Sequence, residues 1–472
     1  MNKNHILQPE EIEAQRAYIA RMRADNDGYF AAFGYRRGAF VLTFGCQQNE
    51  ADSEKLAGLC EAMGYRIVSA PEEADLIVVN TCAIREHAEQ KALSIVGQYK
   101  HLKARNPDLI IAVCGCMVTQ EHRKDDIKHR YPYVDFVFGT SSIHRFPQLL
   151  CDKIAHGKRI FCPEETDYLV AEGLPIKRES DYRAWVSVMY GCNNFCSYCI
   201  VPYVRGRERS REMAPIVEEV RELVSKGYKD ITLLGQNVNS YGKDSGYDYD
   251  FADLLSELDR LEGDFTLRFM TSHPKDADKK LIDVMASSRH VAHHFHLPLQ
   301  SGSDRILKAM NRHYDRARYL EIVDYMREKM PDVTITSDII VGFPGETEED
   351  FEATLGILEQ VGFDMLYSFI YSPRKGTPAA EMEQVEPKVK SARFDRLLAL
   401  QNEIAKKKNQ PLVGKVQRVL CDGVSKNNSD LYSGRTEGNK IAFFEGVSSD
   451  TGRFVDFVAD RADAFAFYGK KI

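Results

Sequence analysis

Short apolar runs alternate with helix-sized segments along most of this chain, and this alternation limits the possible folds more than any other feature. In the first third of the sequence the strand-like runs fall at residues 39–44, 76–80, 109–114 and 136–138. Apolar strands that are separated by helices form parallel sheets covered on both faces. The sequence therefore predicts an α/β fold, with a doubly wound parallel sheet in a first domain at residues 38–155.

A second series of strand-like runs predicts a barrel in the middle of the chain, residues 178–408. These runs fall at residues 186–190, 231–234, 266–270, 294–299, 334–341 and 365–371. Helix-sized segments separate them, so they form six βα units and predict a partial (β/α)6 barrel. Barrels of this kind place their chemistry on the loops at the carboxyl ends of the strands.

The two ends of the chain do not follow this α/β pattern. Residues 1–37 are charged and aromatic, with a helical pattern around residues 9–26, which indicates an N-terminal extension without chemistry of its own. A basic helical segment at residues 386–410 is followed by short β-rich runs with Asn and Gly turns. Such runs predict a small β-barrel at residues 411–472.

Composition excludes several classes of protein. The chain has 472 residues, 43% of them hydrophobic, which is enough for several domains. It contains no apolar run long enough for a membrane span, so we expect no membrane partner. A net charge of −7 argues against a generally basic surface, so any nucleic-acid contact must come from local patches. Eleven cysteines in a chain of this length, with no apolar leader, suggest a reduced, cytoplasmic protein.

One loop carries three cysteines with C-x3-C-x2-C spacing: Cys192, Cys196 and Cys199, called the loop set below. Structural zinc sites and ordinary iron–sulfur clusters normally take four protein ligands. Three thiolates therefore leave one metal position open for a ligand that is not protein. A zinc site remains an alternative, although the nearby Cys and His residues offer no obvious fourth ligand.

Three further cysteines each follow a predicted strand of the first sheet: Cys46, Cys82 and Cys116, called the auxiliary set below. The carboxyl ends of parallel strands share one edge of a sheet, so these thiols can converge in space. The alternative is that each is a small buried hydrophobe, as lone cysteines often are. The residues alone leave these two interpretations about evenly balanced.

The loop set resembles the radical S-adenosylmethionine (SAM) enzymes. Together with Gly45-Cys46-Gln47-Gln48-Asn49, Asn80-Thr81-Cys82 and Gly115-Cys116, the chain from about residue 38 onward is similar to the methylthiotransferase family within them. This resemblance implies a [4Fe-4S] cluster on the loop set, with SAM on its open iron, and a second [4Fe-4S] cluster on the auxiliary set. The first is expected to produce the radical by cleaving SAM, and the second to supply sulfur.

The same resemblance separates the remaining cysteines and suggests the residues that contact SAM. It favours Cys116 over Cys114 as a ligand and leaves Cys60, Cys151, Cys162 and Cys421 as ordinary thiols. The residues expected to contact SAM are Tyr198, Gly235, Gln236, Asn237, Gln300, Ser301, Gly342, Phe343, Pro344, Gly345 and Glu346. The glycine turns could equally be simple strand-to-helix connections. For His273 and His296 a packing role is favoured over proton transfer.

The C-terminal segment resembles the TRAM domain, an RNA-binding barrel, at Ser433-Gly434-Arg435-Thr436-Glu437 and Asn439. Two other basic stretches accompany it: the helix with Lys388, Lys390, Arg393, Arg396, Lys406, Lys407 and Lys408, and residues 205–211 after the loop set. A charge run alone is usually a solvated face. Combined with the barrel, these stretches predict a track that contacts RNA phosphates and leads to the active site.

Three substrates occur within the resembled family: a tRNA adenosine with an isopentenyl group, one with a threonylcarbamoyl group, and a ribosomal-protein aspartate. Residues 201–211 and 433–437 are most similar to members that act on the first. The expected partners are the anticodon stem-loop of tRNA and a reductant protein such as a flavodoxin or ferredoxin, with the enzyme a monomer. The non-enzymatic alternative is an RNA-binding protein with structural iron–sulfur or zinc sites.

Overall fold

A computed structural model describes residues 6–84, 86–162, 169–244 and 246–472. Packing divides the chain into two compact units. The first comprises Met1–Glu179, Met189–Asn193 and Ile200–Arg211, and the second comprises Ser180–Val188, Asn194–Cys199 and Glu212–Ile472. The loop set therefore spans a crossing of the chain from one unit to the other. No helix in the described ranges is long and apolar enough to cross a membrane.

The first unit contains a six-stranded parallel sheet in the order β2-β1-β3-β4-β5-β6. Its strands are β1 (Gly38–Thr43), β2 (Arg66–Ile67), β3 (Leu76–Thr81), β4 (Ile110–Gly115), β5 (Phe136–Phe138) and β6 (Ile160–Phe161). The helices are α1 (Pro9–Phe33), α2 (Gln47–Ala62), α3 (Glu86–Arg105), α4 (Glu121–Arg130) and α5 (Phe146–His156). Every residue of β3 is buried, because apolar cores cover both faces of the sheet. The predicted doubly wound sheet is confirmed.

The N-terminal helix α1 is longer than its sequence pattern indicated, and it belongs to the core of the first unit. Met22 is buried in the same apolar cluster as strand residues of the sheet. The Asn26 side chain donates a hydrogen bond of 2.8 Å to the Met63 carbonyl. The helix ends at Gly34, whose φ of +79° terminates it in the left-handed conformation that glycine adopts without strain.

The second unit contains the barrel strands in two parallel groups, β7-β10-β11 and β12-β13-β14. A parallel bridge between Leu267 and Val291 joins the groups, so six strands follow one another as predicted. The strands are β7 (Arg183–Ser187), β10 (Asp230–Leu234), β11 (Thr266–Phe269), β12 (His294–His296), β13 (Thr334–Val341) and β14 (Met365–Ile370). The main helices of this region are α7 (Met213–Ser225), α8 (Phe251–Asp259), α9 (Lys279–Ser287), α10 (Asp304–Ala309), α11 (Arg316–Lys329), α12 (Glu348–Val361) and α13 (Pro387–Asn409).

Two of the six predicted barrel strands differ from the structure by more than one residue at an end. The run 186–190 divides into the end of β7 and a separate strand β8 (Met189–Tyr190), which pairs with β9 (Arg209–Ser210) in the first unit. The short helix α6 (Val201–Arg205) lies between β8 and β9 in the sequence. The run 294–299 ends as a strand at His296, since Pro298 has no amide hydrogen to continue the ladder.

The C-terminal residues form a closed barrel of five strands in the order β15-β16-β17-β19-β18. The strands are β15 (Val416–Val424), β16 (Tyr432–Thr436), β17 (Ile441–Phe444), β18 (Phe454–Ala462) and β19 (Ala466–Lys471). Phe444, Phe457 and Phe467 fill its core and are fully buried. This confirms the predicted small β-barrel.

Candidate iron–sulfur and SAM sites

The auxiliary set lies at one edge of the first sheet. Cys46 immediately precedes α2, Cys82 follows the last residue of β3, and Cys116 follows the last residue of β4. Because β1, β3 and β4 are neighbours in the sheet, the three cysteines come from adjacent strand ends. The side chain of Asn49 lies among them: its Oδ1 is 3.5 Å from the Cys46 sulfur and 3.9 Å from the Cys116 sulfur.

Two amide side chains tie these strand ends together. Asn49 donates a hydrogen bond of 2.8 Å to the carbonyl of Thr81, and Asn80 donates one of 2.9 Å to the carbonyl of Asn49. Asn80 also donates to the Ser53 hydroxyl at 3.0 Å. Buried amides that are satisfied in this way specify one arrangement of the backbone around the thiols.

The backbone beside the auxiliary cysteines approaches its neighbours so closely that only glycine fits. Gly45 has a φ of +126°, and a Cβ atom there would lie 2.6 Å from Cβ of Cys82. Gly115 has a φ of +97°, and its Cβ would lie 2.4 Å from Oδ1 of Asn80. These close approaches account for the glycine directly before Cys46 and the glycine directly before Cys116, whereas Cys82 follows Thr81.

We expect Gly45→Ala to reduce the iron that the auxiliary set retains and to destabilise the first unit by about 1–3 kcal/mol, because the new methyl group forces a strained φ. Iron content and thermal unfolding of the purified protein measure both effects. Gly97→Ala is the matched control, since Gly97 lies within α3 and a Cβ there would lie 3.9 Å from Cε1 of Tyr131, an ordinary contact distance. Equal iron in Gly45→Ala and the control would contradict the tight fit inferred here.

Arg205 contributes a cation to the auxiliary set. Its Nε donates to the Cys116 sulfur at 3.2 Å, and its Nη2 donates to Asn49 Oδ1 at 2.9 Å and to Asp52 Oδ2 at 2.8 Å. Only 4% of Arg205 is exposed. The interpretation of residues 205–211 as a phosphate-contacting track is therefore wrong for Arg205. It is also wrong for Arg211, which is buried and pairs with Glu172 at 2.7 Å.

The auxiliary set offers three thiols from adjacent strand ends, which is the donor type that an iron–sulfur cluster takes. Burial raises the pKa of the Cys116 thiol to about 12 despite the opposing attraction of Arg205. Such a thiol becomes a thiolate when a metal replaces its proton.

The first part of the loop set belongs to the first unit. Gly191 has a φ of +77°, and a Cβ there would lie 2.0 Å from the Arg207 carbonyl oxygen. The amide of Cys192 donates to the carbonyl of Gly206 at 3.1 Å. Asn193 and Glu208 exchange backbone-to-side-chain hydrogen bonds of 3.2 Å in both directions. The loop is therefore fixed by the segment that follows it.

The second part of the loop set belongs to the second unit, where Arg312 contacts it. Arg312 Nη1 donates to the Cys196 sulfur at 3.3 Å, and Nη2 donates to the Pro298 carbonyl at 3.0 Å. The Ser197 amide donates to the Met310 carbonyl at 3.0 Å. Sequence reasoning missed Arg312, because nothing in its local sequence shows which distant loop it will contact.

The aromatic candidates for SAM contact lie together. The rings of Tyr198 and Phe343 meet edge to face with centroids 6.5 Å apart, and Tyr371 lies 5.6 Å from Phe343 on the same cluster. Phe343 is fully buried, whereas Tyr198 is partly exposed. The turn that follows β13 therefore lies beside the loop set, where a bound adenine ring could meet an aromatic edge.

The turn at 342–346 also has an internal explanation. Glu346 accepts a hydrogen bond of 2.8 Å from the Gly342 amide and one of 3.0 Å from Arg393. A Cβ at Gly342 would lie 2.5 Å from Cγ of Lys390, while Gly345 has open space around it. Glu346 and Gly342 thus hold the turn in shape. Contact between SAM and the backbone at Pro344 or Gly345 remains a prediction.

The other SAM candidates follow barrel strands at their carboxyl ends, as predicted. Gly235, Gln236 and Asn237 come directly after β10, and Asn237 donates to Asp276 at 3.0 Å. Gln300 is buried with a φ of +71°, and Thr271, in the loop after β11, has a φ of +70°. Left-handed backbone at residues other than glycine is strained and occurs often at functional sites. Ser301 accepts a hydrogen bond from the Ser303 amide at 3.2 Å.

The two candidate histidines have packing partners. His273 Nδ1 accepts a hydrogen bond of 3.2 Å from the Lys275 amide, and burial lowers its pKa far below the usual value. His296 Nδ1 lies 3.0 Å from the Thr336 hydroxyl. Both contacts agree with the packing role favoured by the sequence.

The basic helix α13 uses much of its charge within the second unit. Arg393 is buried against Glu346, Arg396 pairs with Glu348 and Glu352, and Lys408 pairs with Asp364 at 2.7 Å. Lys390 is also buried. The predicted phosphate track therefore loses Lys390 and Arg393, which are buried, and Lys408, which is paired, whereas Arg396 stays exposed. Three exposed lysines of the helix remain for contact with RNA: Lys388, Lys406 and Lys407.

Family models match three parts of the chain. Residues 39–139 match "Uncharacterized protein family UPF0004", residues 186–358 match "Radical SAM superfamily", and residues 410–465 match "TRAM domain". In solved structures, the fold resembles the radical SAM methyltransferase TsrM from Kitasatospora setae, with a TM-score of 0.55 and 15% identity over 73% of this chain and 77% of that chain. The class is therefore that of radical SAM proteins with a C-terminal TRAM domain.

Curated relatives narrow this class. The chain is 50% identical to the tRNA-2-methylthio-N(6)-dimethylallyladenosine synthase of Natranaerobius thermophilus over 91% of this chain and 96% of the relative. It is 48% identical to the protein of the same name from Thermoanaerobacter sp. over 100% of this chain and 99% of the relative. The chain belongs to the family of tRNA-2-methylthio-N(6)-dimethylallyladenosine synthases, which confirms the resemblance to the radical SAM methylthiotransferases.

Proposed function

We propose that the protein adds a methylthio group to C2 of N6-isopentenyladenosine next to the anticodon of tRNA. The observation that supports this substrate is the identity of 48–50%, over 91–100% of the chain, to synthases named for that product. The aligned residues span all three matched regions. From the tRNA substrate we infer a cytoplasmic location. We further propose that it acts as a monomer and receives electrons from a flavodoxin or ferredoxin.

We assign one [4Fe-4S] cluster to the loop set and a second to the auxiliary set. When bound, these clusters and SAM supply the radical and the sulfur that an unactivated C–H bond requires. The cysteines, the glycines beside them and two buried arginines are what the chain contributes. Arg312 donates to Cys196 and Arg205 to Cys116, so each set has one cation directly on a sulfur.

The C-terminal barrel suits contact with tRNA. Arg418 lies over the ring of Phe454 at 3.5 Å from its centroid, and Arg461 lies over Tyr468 at 3.8 Å. Arginine stacked on an aromatic ring presents both a charge for phosphates and a flat surface for bases. These pairs, with the exposed lysines of α13, support an RNA-binding role for the second unit.

The substrate is tested in a strain that lacks the gene. We expect its tRNA to lose 2-methylthio-N6-isopentenyladenosine and to accumulate N6-isopentenyladenosine, as measured by mass spectrometry of digested tRNA. The gene restored on a plasmid is the control. Loss of the methylthio derivative of threonylcarbamoyladenosine, or of a ribosomal-protein aspartate, with the isopentenyl product unchanged, would contradict the assignment.

A further inference from the structure

We propose that Arg205 is a positioning residue of the auxiliary set, whose hydrogen bond to the Cys116 sulfur raises the reduction potential of the cluster there. This inference rests on the proposed function, in which Cys46, Cys82 and Cys116 hold a cluster. It concerns a residue that the sequence assigned to phosphate contact. Its buried position and its three acceptors exclude that role.

The contacts of Arg205 form one network around two of the three sulfurs. Nε donates to Cys116, while Nη2 donates to Asn49 Oδ1, the same oxygen that lies 3.5 Å from the Cys46 sulfur. Asp52 accepts from Nη2 at 2.8 Å and fixes the orientation of the guanidinium. The planar, rigid donor fork of arginine can serve all three acceptors at once, which the point charge of lysine cannot.

Arg205 is held in place by the packing of α6, the helix that follows the loop set. It is the last residue of α6, shortly after Cys199 in the chain. Ile200 and Val204 pack in one apolar cluster with Ala83 and Cys116. The Thr140 hydroxyl donates to the Val204 carbonyl at 3.0 Å. The residues that follow the loop set thus pack against the auxiliary set.

The positive charge of Arg205 determines the direction in which it shifts the reduction potential. A reduced cluster carries one more negative charge than an oxidised one, so a buried cation and an N–H donor on its thiolate stabilise the reduced form. A buried charge is stable only when it is paired. Asp52 accepts from Nη2 of Arg205, which leaves Nε to donate to the Cys116 sulfur. Removal of the guanidinium should therefore make the cluster harder to reduce.

The test uses full-length protein in which Cys192, Cys196 and Cys199 are all replaced by Ala, so that only the auxiliary cluster contributes to the signal. In this background we expect Arg205→Met to lower the ratio of reduced to oxidised cluster at least tenfold at the parent's midpoint, a shift of about 59 mV for one electron. Arg205→Lys, which keeps the charge but not the fork, should give a smaller shift in the same direction.

A spectroscopic signature tests the contact directly. With 15N-labelled arginine, pulsed electron paramagnetic resonance of the reduced cluster should show 15N coupling in the parent and no 15N coupling in Arg205→Met. Arg211→Met is the matched control: Arg211 is also buried in this segment, but its partner is Glu172 rather than a thiol. That control should keep both the coupling and the potential.

The outcomes separate this inference from the proposed function. A parent without any cluster would overturn the assignment of the auxiliary set itself. A cluster whose potential is unchanged in Arg205→Met, or a parent without nitrogen coupling, would overturn only the role of Arg205. If Arg205→Met fails to retain iron, the coupling in the parent and the potential of Arg205→Lys decide.

Discussion

Replacing Cys192, Cys196 and Cys199 together with Ala is expected to leave about half of the iron and to abolish the cleavage of SAM. Half should remain because the auxiliary set has its own ligands at the edge of a separate sheet. SAM cleavage should stop because the open metal position is assigned to the loop set. Iron per protein, and 5′-deoxyadenosine formed under reduction, are the two measurements.

Buried cysteines outside both sets provide the control for this triple replacement. Cys60, Cys151 and Cys421 are buried within apolar cores, and replacing all three with Ala should leave iron content and SAM cleavage unchanged. Full iron retention in the loop-set variant, or continued SAM cleavage, would show that the loop set is misassigned. A colourless protein that binds zinc would favour the non-enzymatic alternative.

Replacing Cys46, Cys82 and Cys116 with Ala is expected to abolish methylthiolation and to leave reductive cleavage of SAM detectable. The two activities should separate, because the sulfur is assigned to the auxiliary set and the radical to the loop set. The products are measured in one reaction as 5′-deoxyadenosine and the 2-methylthio nucleoside. Cleavage should be weaker than in the parent, since Arg205 and α6 lose the Cys116 side chain that they pack against.

The opposite result is equally clear. If this variant still formed the 2-methylthio nucleoside, the sulfur would come from elsewhere and the role of the auxiliary set would be wrong. The variant with Cys114→Ala is the matched control. Cys114 lies within β4 in the apolar core, two residues before Cys116, and should be dispensable for methylthiolation.

The alternation of apolar strands and helices was sufficient to predict the parallel sheet, the barrel and their order. It also predicted that Cys46, Cys82 and Cys116 lie at neighbouring strand ends, because parallel strands end at the same edge. Motif spacing predicts the loop set, and its role as a metal site stays a prediction. The inferences about the fold succeed because they depend on local periodicity and on topology.

The arginines show what local sequence cannot supply. Arg205 and Arg211 stand in a basic stretch that suggests RNA contact, yet both are buried and paired within the first unit. Arg312 contacts Cys196 although it is distant in sequence. Tertiary packing decides whether a charged side chain faces solvent or a buried partner, and the residue type alone does not reveal it. The role of α1 in the core was missed for the same reason.

The central claim is tested most directly with the purified, cluster-reconstituted protein, a reductant, SAM labelled with deuterium in its methyl group, and tRNA that carries N6-isopentenyladenosine. The account predicts a nucleoside in which one hydrogen of the adenine is replaced by a methylthio group with the labelled methyl. Mass spectrometry of digested tRNA detects this product. An unmodified isopentenyl nucleoside, from protein that carries both clusters and cleaves SAM, would contradict the account.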